Sequence, residues 1–190
     1  MYLMYEEIIE KTKKLVAKET SQSVMPLFDL ANEVGQILAQ KLNANKDIIL
    51  LGTLLMDLKH KQAREEDRIS EHVQMSLNAS KKFLEQFDLD EETKKKIYNC
   101  IEAHHKDVPF MCIEAEICAN ADCYKFLHPK GVLLYVSILS LRGGSFEESL
   151  YNVEEKMDEK WNILSLDICK QELETYYNTF KIYIDKARKM

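Results

Sequence analysis

Apolar residues recur at intervals of three and four along almost the whole of this chain, which is the repeat of one face of an α-helix. No segment alternates apolar and polar residues convincingly, as a half-buried strand would. Five glycines and three prolines in 190 residues leave few sharp turns for a fold of many short strands. The sequence therefore predicts an all-α protein, a bundle of about seven to nine helices.

Short polar segments separate the predicted helices. The helices cover residues 5–17, 27–42, 48–58, 71–87, 91–105, 114–126, 132–141, 145–161 and 167–186. Asp47 is the predicted N-cap of the third, and Ser145 with Glu148 has the spacing of a capping box. Residues 59–70, KHKQAREEDRIS, lack apolar periodicity and predict an exposed loop or frayed turn.

Length and composition indicate one globular domain over residues 1–190, because 46% hydrophobic residues suffice for a core. A net charge of −6 without a basic stripe argues against binding to a nucleic-acid backbone. The longest nearly apolar run, residues 132–141, is about half the ~20 residues of a membrane-spanning helix, so no membrane partner is expected. Five cysteines without a CxxC pair predict reduced thiols and a cytoplasmic location.

Five ligand-type side chains stand out from the ordinary helical surface: Asp57, His72, His104, His105 and Asp122. Asp57 ends the apolar segment LLGTLLMDL, and Asp122 lies in the apolar stretch ICANADCYKF. A carboxylate in such surroundings must be solvated, hydrogen-bonded or bound to a metal. Adjacent helical residues project about 100° apart, so His104 and His105 reach one ion only if it lies between them.

Four motifs in this order resemble the HD-domain superfamily of metal-dependent phosphohydrolases. The segment LGTLLMDLKH is similar to the family's apolar segment ending in His-Asp, and SEHVQMSLNASKKFLEQF to the helix carrying a third histidine. IYNCIEAHH resembles the helix ending in one or two histidines, and EICANADCYKF the segment with the final Asp. The resemblance covers residues 27–126, and helices over residues 131–190 would complete the domain. It implies an HD-like helical bundle, divalent metal ions and hydrolysis of phosphate esters, usually nucleotides.

Two of the family's ligand positions carry apolar residues here. Leu30 stands where the resemblance implies a first histidine, and Met56 where it implies the histidine of the His-Asp pair. The first ion position, residues 30, 56, 57 and 122, keeps two carboxylates, which hold a divalent ion poorly. The second ion position, implied by binuclear members, survives in four residues: Asp57, His72, His104 and His105. Three imidazoles and a carboxylate are a sufficient shell for Zn²⁺, Fe²⁺ or Mn²⁺.

Two functions of different classes follow from the resemblance. The chain is either a phosphohydrolase, with Asp57 and Asp122 as catalytic carboxylates, or an inactive HD domain that binds a nucleotide or a protein partner. Whether the chain is an enzyme, and whether it holds a divalent ion or no cofactor, stays open in the sequence. A bound ion would activate water for attack on phosphorus.

The motif order predicts that the five ligand-type side chains line one cavity. Leu30 and Met56 are expected to fill apolar space beside Asp57 and Asp122. Without a metal, such an apolar wall raises the pKa of a carboxylate through desolvation.

Basic residues after Asp57 have both an ordinary and a functional interpretation. His60 is interpreted as an exposed loop histidine in preference to a replacement ligand. Lys59, Arg64 and Arg68 are interpreted as a solvated face in preference to groups that steer a phosphate.

Overall fold

The helices of this computed structural model follow the predicted order, and the structure describes residues 2–189, with side chains from residue 5. Within residues 2–189 there are ten α-helices and no β-strand, which confirms the all-α prediction. One helix, α4, is only six residues long. The helices are α1 (Tyr2–Glu19), α2 (Met25–Lys41), α3 (Lys46–Leu55), α4 (His60–Glu65), α5 (His72–Leu84), α6 (Glu91–Glu102), α7 (Ile113–Leu127), α8 (Pro129–Leu141), α9 (Phe146–Ile163) and α10 (Asp167–Arg188).

Helices α3 and α7 form the centre of the bundle. Twelve of the fifteen residues of α7 and seven of the ten residues of α3 are buried. Helix α2 packs against both, α1 and α6 cover α3, and α8 and α9 cover α7. A charged side chain on the buried face of either central helix is therefore removed from water unless it borders a cavity.

The N-cap predicted for α3 is wrong, whereas the capping box of α9 is confirmed. Asn45 is the cap of α3, since its side-chain oxygen accepts from the amides of Asp47 at 3.0 Å and Ile48 at 3.2 Å. Asp47 lies in the first turn, where its charge complements the positive end of the helix dipole. At α9, the Glu148 amide donates to Ser145 Oγ and the Ser145 amide donates to the Glu148 carboxylate.

Residues 59–70 are more regular than the sequence predicts. They contain α4 and the start of a 3-10 turn, Ile69–Glu71. Ala63 is fully buried, and α4 packs against α5. A helix of six residues completes fewer than two turns, so one buried position leaves no periodic signal.

Three helices end one turn earlier than predicted, and two of the missing turns, those after α3 and α6, carry candidate ligands. Helices α3, α5 and α6 end at residues 55, 84 and 102, each three residues before the predicted bound. Asp57 lies in the turn after α3, and His104 and His105 lie in a 3-10 turn, Ala103–His105. Lys106 follows in the left-handed conformation (φ 63°), which stops the helical winding there.

Within residues 2–189, no helix has both the length and the apolar character needed to cross a membrane. All five cysteines carry free thiols, and four of the five are buried.

Gly52 sets the approach of α3 to its neighbours, and Gly52→Ala should lower the free energy of unfolding by about 1 to 3 kcal/mol. A Cβ added there would lie 2.6 Å from Cys100 Cβ and 2.8 Å from Cys118 Sγ. Urea unfolding measures the change. In Gly35→Ala, the added carbon meets a terminal methyl group of Ile49 at 3.0 Å, so this control should cost less. Unchanged stability of Gly52→Ala would contradict this description of the packing.

Candidate functional site

Asp57 and Asp122 are positioned by the two central helices. Asp57 follows Met56, the C-cap of α3, and is 7% exposed, while Asp122 lies within α7 and is 1% exposed. The packing of α3 on α7 brings both carboxylates to one ammonium group, that of Lys125. Lys125 Nζ lies 2.6 Å from Asp57 Oδ2 and 2.6 Å from Asp122 Oδ1.

A second buried lysine completes this set of ion pairs. Lys160 on α9 is 1% exposed, and its Nζ lies 2.7 Å from Asp122 Oδ2. Both oxygens of Asp122 therefore face ammonium groups. We call Asp57, Asp122, Lys125 and Lys160 the lysine–carboxylate cluster. Its two positive and two negative charges satisfy the requirement that buried charges be paired.

The prediction that the two carboxylates have raised pKa values is wrong. Burial by itself raises the pKa of Asp57 and of Asp122, but the Lys125 ammonium, joined by Lys160 at Asp122, lowers both pKa values well below the usual range. Burial also opposes a charge on each lysine, yet the carboxylates raise the pKa of Lys125 and of Lys160. All four groups are therefore charged at neutral pH.

Leu30 and Met56 are buried, at 5% and 0% exposure, but neither is among the residues that line the cavity. That they fill apolar space beside Asp57 and Asp122 therefore stays a prediction. The cavity wall from α2 is formed by Leu27 and Phe28. The surroundings of the two carboxylates are nevertheless not purely apolar. The ammonium groups of two buried lysines contact them, and the sequence-based prediction did not include these positive charges.

The three histidines converge beside Asp57. His72 is the first residue of α5, and one ring nitrogen each from His72, His104 and His105 lies within 4.8 Å of the other two. His72 Nε2 is 3.4 Å and His104 Nε2 is 3.8 Å from Asp57 Oδ1. Asp57 therefore has two different sides, with Oδ2 on Lys125 and Oδ1 toward the imidazoles.

Backbone carbonyl groups fix the orientation of two of these rings. His72 Nδ1 lies 2.7 Å from the carbonyl oxygen of Ile69, and His104 Nδ1 lies 2.7 Å from that of Ile101. Because a carbonyl oxygen only accepts, Nδ1 carries the proton in both rings. Each Nε2 then presents a lone pair toward Asp57, as in the common arrangement of metal-binding histidines.

The donors around Asp57 Oδ1 fit a divalent metal ion. His104 Nε2 is buried and has no hydrogen-bond partner among the residues that the structure describes, although buried imidazole nitrogens are normally satisfied. Burial lowers the pKa of His104 to about 3 and lowers that of His72, so both rings are neutral. Neutral imidazoles with a carboxylate suit Zn²⁺, Fe²⁺ or Mn²⁺. The second ion position, formed by Asp57 and the three histidines, therefore fits an ion. At the first ion position, both carboxylates are already paired with lysines.

A cavity of about 180 Å³ borders the lysine–carboxylate cluster and is lined by further basic side chains. Arg64, Arg142 and Lys156 lie in its wall, so the sequence-based assignment of Arg64 to a solvated face is incomplete. Burial and the charge of Arg64 lower the pKa of Arg142. Among the described side chains, Lys156 pairs with Glu159, while neither arginine has an acidic partner. The cavity therefore offers unpaired cationic groups to an anion.

The remaining basic residues of the 59–70 segment differ in their surroundings. His60 is half-buried, lines the cavity, and has its ring centroid 5.5 Å from that of His72, so its interpretation as an exposed loop histidine is wrong. Burial lowers the pKa of His60 to about 4. Arg68 pairs with acidic neighbours at the surface, as a solvated face predicts, whereas Lys59 pairs with Glu19 at 2.7 Å in a part-buried contact.

Lys125 and Lys160 are the functional residues that sequence reasoning missed. Lys125 lies three residues after Asp122, one turn along the same buried helix. Lys160 continues the buried stripe of Val153 and Met157 on α9, with the spacing of a core-facing position. A lysine on the core-facing side of a helix is seldom buried without an acidic partner. This spacing is the feature of the sequence from which both buried lysines could have been predicted.

Comparison with solved structures identifies the class of fold. The chain is similar to a crystal structure of an HD-superfamily hydrolase from Bacillus thuringiensis, with a TM-score of 0.68, 19% identity, and coverage of 97% of this chain and 95% of that one. It is also similar to Bacillus subtilis YpgQ in complex with ADP, with a TM-score of 0.67, 14% identity, and coverage of 99% and 95%. The chain therefore has the fold of the HD superfamily, as its motifs predict.

One curated relative extends this comparison to sequence. Ribonuclease Y from Finegoldia magna is 31% identical over 127 residues, which is 66% of this chain. The chain spans 23% of the length of that protein. No protein-family model matches the chain.

Replacing Lys125 with methionine should lower the free energy of unfolding by about 3 to 5 kcal/mol, the usual cost of removing one partner of a buried ion pair. Asp57 would keep its negative charge in a buried site without the ammonium group at 2.6 Å. Lys130→Met is the matched control, because Lys130 is 51% exposed and 3.7 Å from Glu33, so about 1 kcal/mol or less is expected. Urea unfolding of both variants tests this, and equal losses would show that the buried pairs are not stabilising.

Proposed function

We propose that this chain is a hydrolase of phosphate esters, nucleotides above all, with a site for one divalent metal ion. The proposed ligands are Asp57, His72, His104 and His105. The observation that carries this proposal is the partnerless Nε2 of buried His104, which faces Asp57 Oδ1 together with His72 Nε2. When bound, the ion would supply Lewis acidity to a phosphate ester and make a water molecule more acidic.

The chain's own cationic groups would bind and orient the phosphate. Arg64 and Arg142 line the cavity without acidic partners among the described side chains, and the planar guanidinium group matches two phosphate oxygens at once. Asp122 acts as a positioning residue, since both of its oxygens face lysines. The ADP in the similar YpgQ structure supports a nucleotide as the ligand.

The lysine–carboxylate cluster favours a second candidate function. Because ammonium groups already neutralise Asp57 and Asp122, the cationic cavity is suited to bind a phosphate-bearing ligand with no metal and no hydrolysis. The chain would then be an HD-type binding domain. Metal content and turnover separate this function from the first.

Metal binding is the first test of the proposed function. Equilibrium dialysis against Mn²⁺ should give one bound ion per chain, and His104→Ala should weaken the affinity at least ~10-fold, since even outer-shell changes have effects of that size. His128→Ala is the control, because His128 accepts from the Lys130 amide at the start of α8, outside the cavity lining.

Turnover of bis(p-nitrophenyl) phosphate and of a nucleotide panel, with and without Mn²⁺, completes this test. Metal-dependent turnover that His104→Ala removes supports the hydrolase. Nucleotide binding without bound Mn²⁺ and without turnover supports the binding domain. Neither metal nor nucleotide binding would contradict both candidates.

The cavity arginines give a separate prediction for the anion. Arg64→Met and Arg142→Met should each weaken pyrophosphate binding about 10- to 100-fold, because a hydrogen bond to a charged group contributes roughly 1.5 to 3 kcal/mol. Arg188→Met should leave the affinity unchanged, since Arg188 pairs with Glu154 on the outer side of α9. Titration calorimetry measures the three variants, and equal effects would mean that the cavity does not bind the anion.

A further inference from the structure

The carboxylates of the first ion position are already occupied by ammonium groups. Leu30 and Met56 supply no ligand that a hard or borderline divalent ion prefers. Lys125 Nζ lies 2.6 Å from one oxygen of Asp57 and 2.6 Å from one oxygen of Asp122. An ion would have to bind these carboxylates at about 2.0 to 2.2 Å. It would therefore compete with Lys125 for the same oxygens.

The charges of the cluster balance as they would in a metal site. Lys125 and Lys160 together carry two positive charges, which equal the charge of one divalent ion, and they face the same two carboxylates. The lysine side chains are only 4% and 1% exposed, so salt screens these pairs little. Neutral imidazoles at positions 30 and 56 would contribute no charge. The substitution of ligands by lysines therefore leaves the local charge unchanged.

Aromatic rings hold the two ammonium groups in this arrangement. Lys125 Nζ lies 5.0 Å from the ring centroid of Phe28 on α2 and 5.8 Å from that of Phe126 on α7. Lys160 Nζ lies 5.7 Å from the Phe126 centroid. Cation–π contacts of this length are attractive, most of all where water is excluded. Moving either ammonium group further into the cavity would break its contacts with the carboxylates and its contacts with the aromatic rings.

We propose that the Lys125 and Lys160 ammonium groups replace the first metal ion of a two-ion site, so that this HD-type centre holds a single ion beside two fixed organic cations. The inference rests on the proposed one-ion function. It has a specific consequence: introducing imidazoles at positions 30 and 56, where the sequence resemblance implies them, does not create a second metal position while the lysines remain.

Four proteins test this consequence, with bound Mn²⁺ per chain as the readout. They are the wild type, Leu30→His/Met56→His, the same pair with Lys125→Met/Lys160→Met, and the same pair with Lys96→Met/Lys130→Met. The last is the matched control, because it also loses two lysines, both of which pair with glutamates outside the cavity lining. Equilibrium dialysis with elemental analysis counts the ions, and circular dichroism shows that each protein is helical.

The expected stoichiometries are one ion for the wild type, one for the histidine pair, two for the variant without Lys125 and Lys160, and one for the control. A second ion in the histidine pair with its lysines intact overturns the inference. This comparison remains decisive if the variant without Lys125 and Lys160 does not fold. A folded variant without these lysines that gains no ion over the histidine pair also overturns it.

The design separates this inference from the proposed function. A wild type that binds no ion contradicts the one-ion site formed by the histidines. The inference is then decided by the difference between the two histidine-restored proteins, because only one of them keeps the lysines. A gain of one ion on their removal supports the inference, and no gain rejects it.

Discussion

The ion pairs of Lys125 with Asp57 and Asp122 are the interaction on which the rest of this site depends. The lysine lies on α7, and its two partners belong to the end of α3 and to α7 itself. Lys160 joins α9 to the same carboxylate cluster. Removing charges from water is costly, and the cost is recovered only with close pairing and additional contacts. The cluster therefore fixes how the central helices meet.

Asp57 connects this structural cluster to the chemistry of the cavity. Its Oδ2 is committed to Lys125, and its Oδ1 faces two imidazole nitrogens that carry lone pairs. The early end of α3 makes this possible, because Asp57 lies in a turn and is free of the helical register. A carboxylate with one oxygen neutralised is a weaker ligand than a free one. It still adds a negative charge and an oxygen donor to the three histidines.

Much of the fold follows from the sequence, because the apolar spacing of three and four is local and survives in every long helix. Helix ends are less predictable, since a 3-10 turn such as Ala103–His105 continues the helical pattern for one more turn. Of the five ligand-type residues that the motif order predicts to line one cavity, four do so, and the fifth, His104, lies 3.8 Å from Asp57 without being part of the lining. The lysines were missed because two of their three ion pairs with Asp57 and Asp122 join residues that are distant in sequence: Lys125 and Asp57, for example, are 68 residues apart. An isolated lysine is normally interpreted as solvated, and only the register of its helix indicates otherwise.

The double role of Asp57 determines which substitutions are informative. Asp57→Ala would remove a proposed metal ligand, and it would also leave Lys125 with Asp122 as its only carboxylate partner. Loss of metal binding in that variant would therefore have two causes that no assay separates. Substitution of His104 removes a donor without touching the lysines, and substitution of Lys125 removes a cation without touching the imidazoles. His72, His104 and Lys125 all contact Asp57. Substituting a histidine or a lysine, and leaving Asp57 in place, therefore shows what each group contributes.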